Sequence, residues 1–112
     1  MRELLLLCFF LSTFSCNYNE LSVCETESPS FTDCVEPIIN LNCTGCHVYG
    51  SAANTSTILT NYDAIKLAVD QNDLLNRIKY NSSNENMPPA GKMSNQDITI
   101  IENWIDDGLQ NN

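Results

Sequence analysis

NCTGCH, the sequence of residues 42–47, places Cys43 and Cys46 three positions apart and His47 directly after the second cysteine. Three kinds of site contain such a pattern: a redox-active dithiol, one half of a zinc site, and a haem attachment motif. Each of these sites belongs to a different kind of protein, so the rest of the sequence has to distinguish between them.

The zinc and dithiol interpretations need partners that the sequence does not supply well. A structural zinc site has four ligands, generally as two close pairs, whereas Cys24 and Cys34 lack that spacing and His47 is the only histidine. A thioredoxin-like dithiol needs a βαβ context, and the motif here follows a helical pattern in a chain without an evident strand. Both interpretations are therefore disfavoured.

Haem attachment fits the motif without adjustment. Cysteines three positions apart can reach both vinyl groups on one edge of a porphyrin and form a thioether bond with each. The adjoining histidine then lies beneath the iron. The sequence therefore predicts one covalently bound haem c, attached at Cys43 and Cys46, with His47 as the proximal ligand through Nε2.

A six-coordinate haem needs a second axial ligand, and methionine is the common choice where no further histidine exists. Met1 would be removed with a signal peptide, which leaves Met87 and Met93. Pro88 and Pro89 follow Met87 and stiffen the loop where a ligand has to be held. Met93 directly precedes a predicted helix, a position typical of a core methionine. We therefore expect Met87, rather than Met93, to be the distal ligand.

The composition indicates a single small acidic domain. The chain has 112 residues, a formal net charge of −9 and six cysteines. Phosphate binding needs a basic face, so a nucleic-acid partner is disfavoured, while a redox protein with a basic docking face is permitted. A domain of this size buries a modest core, so a cross-link or a bulky cofactor would stabilise it.

The N-terminus predicts export. An apolar run within residues 1–15 is too short to span a bilayer but has the length of a signal-peptide core. Cys16 follows the expected cleavage site and resembles the lipid-modified cysteine of bacterial lipoproteins; simple secretion with an unmodified Cys16 is the alternative. Residues 16–30 are polar and acidic, so we interpret them as a tether, with the folded domain at residues 31–109.

Four short helices account for the apolar periodicity. One is capped by Thr32 and runs through Leu41; a second follows Asn61 and extends to about Val69. The third covers residues 73–80, and the fourth begins after Ser94 and stops at Gly108. No segment reads as a strand, so the predicted class is all-α.

Four segments together resemble the small bacterial monohaem c-type cytochromes of the class I type. They are SFTDCVEPIINLN (30–42), NCTGCH (42–47), MPPAGKMS (87–94) and IIENWIDDG (100–108). The resemblance covers roughly residues 31–109 and implies a cytochrome c-like fold around a covalent haem, with His47 and Met87 as iron ligands. It also implies that the first and last helices pack together, through residues 35–41 and 98–105. Cys34 is not part of the family pattern.

Ligation by both His47 and Met87 leaves no coordination position for a substrate, so the predicted function is outer-sphere electron transfer rather than enzymatic catalysis. The protein would act in the periplasm or at the outer surface of a bacterium, with redox proteins as partners. A haem sensor or peroxidase-like protein, in which Met87 detaches, is the main alternative, and a non-catalytic haem-carrying module is another. The pattern predicts that the haem is buried by Ile38, Leu75, Ile98, Ile101 and Trp104.

Cys24 and Cys34 remain after the other cysteines are assigned to the signal peptide, the anchor and the haem. In an oxidising compartment they can form a disulfide bond between the tether and the first helix, or remain two free thiols.

Overall fold

The computed structural model describes residues 24–112, in which the regular secondary structure is helical and no strand occurs. A π-helical turn, Phe31–Val35, continues directly into α1, Glu36–Asn42. The remaining helices are α2, Tyr62–Gln71; α3, Leu74–Lys79; and α4, Asn95–Asp106. The all-α class predicted from the sequence is confirmed for this part of the chain.

The predicted signal peptide (residues 1–15) and the predicted lipidation site at Cys16 lie outside the described residues. Among residues 24–112, no helix combines the length and the apolar character needed to cross a membrane.

The first helix begins earlier than predicted, because Ser30 rather than Thr32 is its N-cap. The Ser30 hydroxyl accepts a hydrogen bond from the backbone N–H of Asp33 at 3.1 Å. Pro37 has no N–H to donate to the preceding turn, and the helix is widened to the π type just ahead of it. Leu41, an apolar residue at the end of the predicted helix, is 85% exposed.

Side-chain caps fix the starts of α2 and α4 where the sequence predicts them. The Asn61 Oδ1 atom accepts a hydrogen bond from the Ala64 N–H, and the Ser94 hydroxyl accepts one from the Asp97 N–H, each at 3.0 Å. Gly108 follows the end of α4 with φ of +94°, a left-handed conformation that glycine adopts without steric cost.

The rings of three aromatic residues join the first helix, α2 and α4. Trp104 is fully buried, and its ring centroid lies 5.7 Å from that of Phe31 and 6.3 Å from that of Tyr62. Its indole N–H donates to the Gln110 carbonyl at 2.9 Å, so the buried polar atom is satisfied. The predicted contact between the first and last helices therefore forms through the Phe31–Val35 turn, nearer the N-terminus than expected.

A disulfide bond joins Cys24 to Cys34, with 5.2 Å between their Cα atoms. Cys34 is buried in the core beneath the π-helical turn, and the nearby Pro29 is fully buried as well. The cross-link therefore attaches the beginning of the described chain to the hydrophobic core.

Residues 24–30, here called the N-terminal segment, pack against the end of α4. The Asn103 side-chain amide donates to the Thr26 carbonyl at 2.6 Å, and the Ser28 hydroxyl donates to the Asp107 carboxylate at 2.8 Å. The sequence analysis assigned this segment to the tether because it is polar and aperiodic. Its hydrogen bonds to α4 and its buried proline instead make it part of the folded domain.

The last residue completes the first helix. The carbonyl oxygen of Asn112 accepts from the Thr32 N–H at 2.9 Å, and its side-chain oxygen accepts from the Phe31 N–H at 3.1 Å. Helix N-termini leave such N–H groups without intrahelical partners, so the C-terminal residue acts as a second cap.

Candidate cofactor site

One cavity of about 500 Å³ brings together the candidate haem-binding residues. Cys43, Cys46 and His47 line it from the end of α1, and Met87 lines it from the loop that follows α3. Met93 is buried in the hydrophobic core and is not among the residues that line the cavity. Segments that are far apart in sequence thus supply two thiols, an imidazole and a thioether to one space.

The cysteine motif forms a tight turn that continues from α1. The Cys43 N–H donates to the Ile39 carbonyl at 2.8 Å, and the His47 N–H donates to the Cys43 carbonyl at 2.9 Å. Side chains three and four positions apart share a side of such a turn. This geometry explains why Cys43, Cys46 and His47 all reach the cavity. Both thiols are free.

Burial raises the pKa of the Cys43 thiol from 9.0 to about 11, because the apolar surroundings disfavour the thiolate. A catalytic dithiol needs the opposite shift, which makes the attacking sulfur a thiolate at neutral pH. The environment of Cys43 therefore does not match that of a thioredoxin-like redox site.

The His47 ring is held by the loop between α1 and α2. Its Nδ1 atom lies 2.8 Å from the Thr57 carbonyl oxygen, and the Leu59 N–H donates to the His47 carbonyl at 3.0 Å. A carbonyl oxygen only accepts hydrogen bonds, so Nδ1 carries the proton and Nε2 keeps its lone pair. This is the arrangement in which a metal-binding histidine usually occurs.

The loop that carries Met87 is hydrogen-bonded to the last turn of α3. The Met87 N–H donates to the Arg77 carbonyl at 3.1 Å, and the Arg77 guanidinium donates to the Glu85 carbonyl at 3.3 Å. The Tyr80 hydroxyl donates to the carbonyl oxygen of Pro88. The sequence analysis missed Arg77 and Tyr80 as site residues, because their partners are backbone carbonyls that carry no signature in the sequence.

The walls of the cavity are mainly apolar, and one polar group in them lacks a hydrogen-bond partner. Buried aliphatic residues supply the walls: Ile39, Leu59, Ala68, Leu74 and Ile78. Arg77 also lines the cavity, and its buried Nε atom has no hydrogen-bond partner among residues 24–112. Haem has an apolar macrocycle and two carboxylates, so both the walls and the unpaired guanidinium N–H fit it.

The structure corrects the predicted walls. None of Ile38, Leu75, Ile98, Ile101 and Trp104 lines the cavity. Ile39 and Leu74 line it instead of their neighbours Ile38 and Leu75, since adjacent residues on a helix point about 100° apart. The three α4 residues pack in the hydrophobic core, which supports the cavity walls from behind.

Among residues 24–112, no three His, Cys, Asp or Glu side chains converge as a metal-binding group. Cys24 and Cys34 are bonded to each other, so neither is a thiolate that could complete a zinc site with the motif.

Charged residues are absent from the segment that builds the motif side of the cavity. No Asp, Glu, Lys or Arg occurs in residues 37–62, although the whole chain has a net charge of −9. Within this segment Leu41 is 85% exposed and Tyr49 is 82% exposed. The part of the surface that residues 37–62 supply is therefore uncharged and partly apolar, whereas Arg77 and Glu85 line the cavity from the α3 side.

Comparison of the chain with family models, with curated proteins and with solved structures returned no match.

Proposed function

We propose that this chain is a c-type cytochrome that carries single electrons. One haem c would be attached through Cys43 and Cys46, with His47 and Met87 as its axial ligands. The observation that carries the proposal is the common cavity, which is lined by all four of these residues. They belong to two distant segments, so one ligand in this cavity could contact all four.

Each residue has a distinct task in this proposal. When bound, the haem supplies a one-electron iron couple whose potential depends on its ligands, its burial and its hydrogen bonds. Cys43 and Cys46 fix the position of the macrocycle edge. The Thr57 carbonyl orients the His47 ring, and the loop bonded to α3 holds Met87. The aliphatic walls exclude water, which favours the less charged ferrous state.

Ligation by two side chains supports electron transfer over catalysis. If His47 and Met87 both bind the iron, no position remains for oxygen or peroxide. Arg77 is the only arginine besides Arg2, and the chain has no second histidine, so the usual groups of peroxide chemistry are scarce. A sensor or peroxidase-like protein would need Met87 to detach. The three hydrogen bonds between its loop and α3 oppose that.

The proposed location and partners rest on the sequence alone. We propose that the protein is exported, with Cys16 as a lipid anchor to a membrane of the periplasm or the outer surface. Its partners would be other redox proteins. The acidic residues lie outside residues 37–62, so a basic partner would be attracted mainly by the rest of the surface.

Absorption spectra of the oxidised and reduced protein test the cofactor and its ligation together. The full chain is expressed in a bacterial host that has haem attachment machinery. We expect a coloured protein whose haem stays bound after denaturation, and whose ferric form shows the iron–sulfur charge-transfer band in the red. Colourless protein from a competent host would refute the proposal. Rapid carbon monoxide binding to the reduced protein would instead favour the sensor alternative.

Two matched double variants identify the attachment points. Cys43→Ala/Cys46→Ala should abolish covalent haem, whereas Cys24→Ala/Cys34→Ala removes the same number of cysteines and should keep it. Equal haem content in the two variants would contradict the assignment.

A further inference from the structure

We propose that Tyr80 is a positioning residue that keeps Met87 at the cavity. Its hydroxyl bonds to the Pro88 carbonyl and so attaches the residue after Met87 to the end of α3. This inference rests on the proposed function, because it concerns how firmly the methionine ligand is held. Tyr80 would act through the Pro88 backbone.

The backbone of Tyr80 gives the first line of support. Tyr80 is the C-cap of α3 and has φ of +62° and ψ of +33°, a left-handed conformation. Glycine or asparagine normally occupies such a position, because the Cβ atom of a bulky residue there crowds the backbone. A half-buried tyrosine at this cap is explained if its phenol hydroxyl makes a hydrogen bond that glycine or asparagine could not make.

The hydrogen bonds of the loop show what that contribution is. The Arg77 backbone carbonyl accepts from Met87, and the Arg77 side chain donates to Glu85, so both bonds lie at Met87 or before it. The bond from Tyr80 to Pro88 is the one between α3 and the loop that lies after Met87. The chain is therefore attached to α3 both before and after Met87. Loss of the Tyr80 hydroxyl would remove the attachment after Met87.

Removal of this bond should increase local opening of the loop without unfolding the domain. A neutral hydrogen bond contributes about 1 kcal/mol, which corresponds to a change of roughly fivefold in an opening equilibrium. Local openings of this kind are distinct from global unfolding and involve segments with few buried contacts.

The test measures cyanide binding to the ferric, haem-loaded full chain, since cyanide can bind only when the methionine is displaced. Tyr80→Phe should bind cyanide roughly five times faster or more tightly than the wild type, with a weaker charge-transfer band. Tyr62→Phe is the matched control. Its hydroxyl also donates to a backbone carbonyl, that of Leu109 at 2.6 Å, but that bond lies away from the cavity. Tyr62→Phe should lower the free energy of unfolding, which is measured in denaturant by the fluorescence of Trp104. It should leave cyanide binding unchanged.

A second variant separates the phenol from general stability. Tyr80→Asn removes the hydroxyl bond but suits the left-handed backbone better. It should bind cyanide faster, as Tyr80→Phe does, while its global stability equals or exceeds that of Tyr80→Phe. Unchanged cyanide binding and an unchanged band in both Tyr80 variants would overturn the positioning role and leave the proposed function intact. A wild type without haem or without the band would instead overturn the proposed function itself.

Discussion

The Nδ1 atom of His47 lies 2.8 Å from the carbonyl oxygen of Thr57, which is ten residues further along the chain. The loop between them contains no helix, yet it returns to bond both the ring and the backbone of His47. The proton on Nδ1 leaves Nε2 with its lone pair. The orientation of the ring is therefore fixed by hydrogen bonds of the protein itself, as the proposed iron ligation at Nε2 requires.

Replacement of Met87 by alanine should remove the iron–sulfur charge-transfer band of the ferric protein. It should also lower the reduction potential by on the order of 0.1 V, because a thioether ligand favours the ferrous state and axial ligands span roughly 0.8 V. Absorption spectra and a potentiometric titration provide the two measurements.

Met93→Ala is the control for that substitution. Met93 is 7% exposed and lies in the hydrophobic core, so the variant should lose about 2–4 kcal/mol of unfolding free energy but keep the band. Loss of the band in this variant, with its retention in Met87→Ala, would reverse the ligand assignment.

Arg77→Gln should lower the reduction potential of the haem-loaded protein. A cation beside the cavity favours the electron-rich state, and an interaction of about 1 kcal/mol corresponds to about 40 mV for a one-electron couple. Lys79→Gln removes the same charge from the same helix. Lys79 bonds to Glu102 at 2.6 Å and does not line the cavity, so its effect should be smaller. Equal shifts of the reduction potential in the two variants would show that Arg77 interacts with the haem no more strongly than Lys79 does.

Removal of the disulfide should destabilise the domain without changing its spectrum. The bridge closes a short loop, with a sequence separation of 10, and the chain-entropy relation gives about 2–3 kcal/mol for a loop of that size. Denaturant unfolding of Cys24→Ala/Cys34→Ala measures the loss. A variant as stable as the wild type would mean that contacts of the N-terminal segment suffice without the bridge.

Acid should weaken the start of α3 through Asp73. Hydrogen bonds from Ser82 and then Asn76 hold the pKa of the Asp73 carboxyl below its usual value of 3.8. A carboxyl whose pKa is lower in the folded state stabilises that state at any pH above its pKa in the unfolded chain. This stabilisation is lost as the pH falls through the lower pKa of the folded state. An NMR titration should show the low pKa. Ser82→Ala should return it toward 3.8, and an unchanged titration would remove Ser82 as the cause.

The starts of α2 and α4 are predicted well from the sequence, because each has one clear side-chain cap. Asn61 and Ser94 each cap the helix that follows, so the local signal and the final structure agree. The first helix was predicted less well, because Ser30 and Thr32 are both plausible caps. The choice between them depends on Asn112, which supplies acceptors to Phe31 and Thr32 from the far end of the chain.

In the candidate site too, the features that depend on local sequence are predicted, and those that depend on the packing of distant segments are not. The cysteine motif is local and was found from spacing, and Met87 was selected because two prolines follow it. The walls were misassigned at Ile38 and Leu75, because the periodicity of a short helix does not fix which of two adjacent apolar residues faces a cavity. Tyr80 and Arg77 were missed, since their bonds depend on where the following loop lies.

The bonds from Asn112 to Phe31 and Thr32, and the disulfide bond from Cys24 to Cys34, attach both ends of the described chain to the same helical turn. None of the cavity-lining residues belongs to this junction. A circular permutant that joined residues 112 and 24 through a short linker and opened the chain in an exposed loop should therefore keep the cavity.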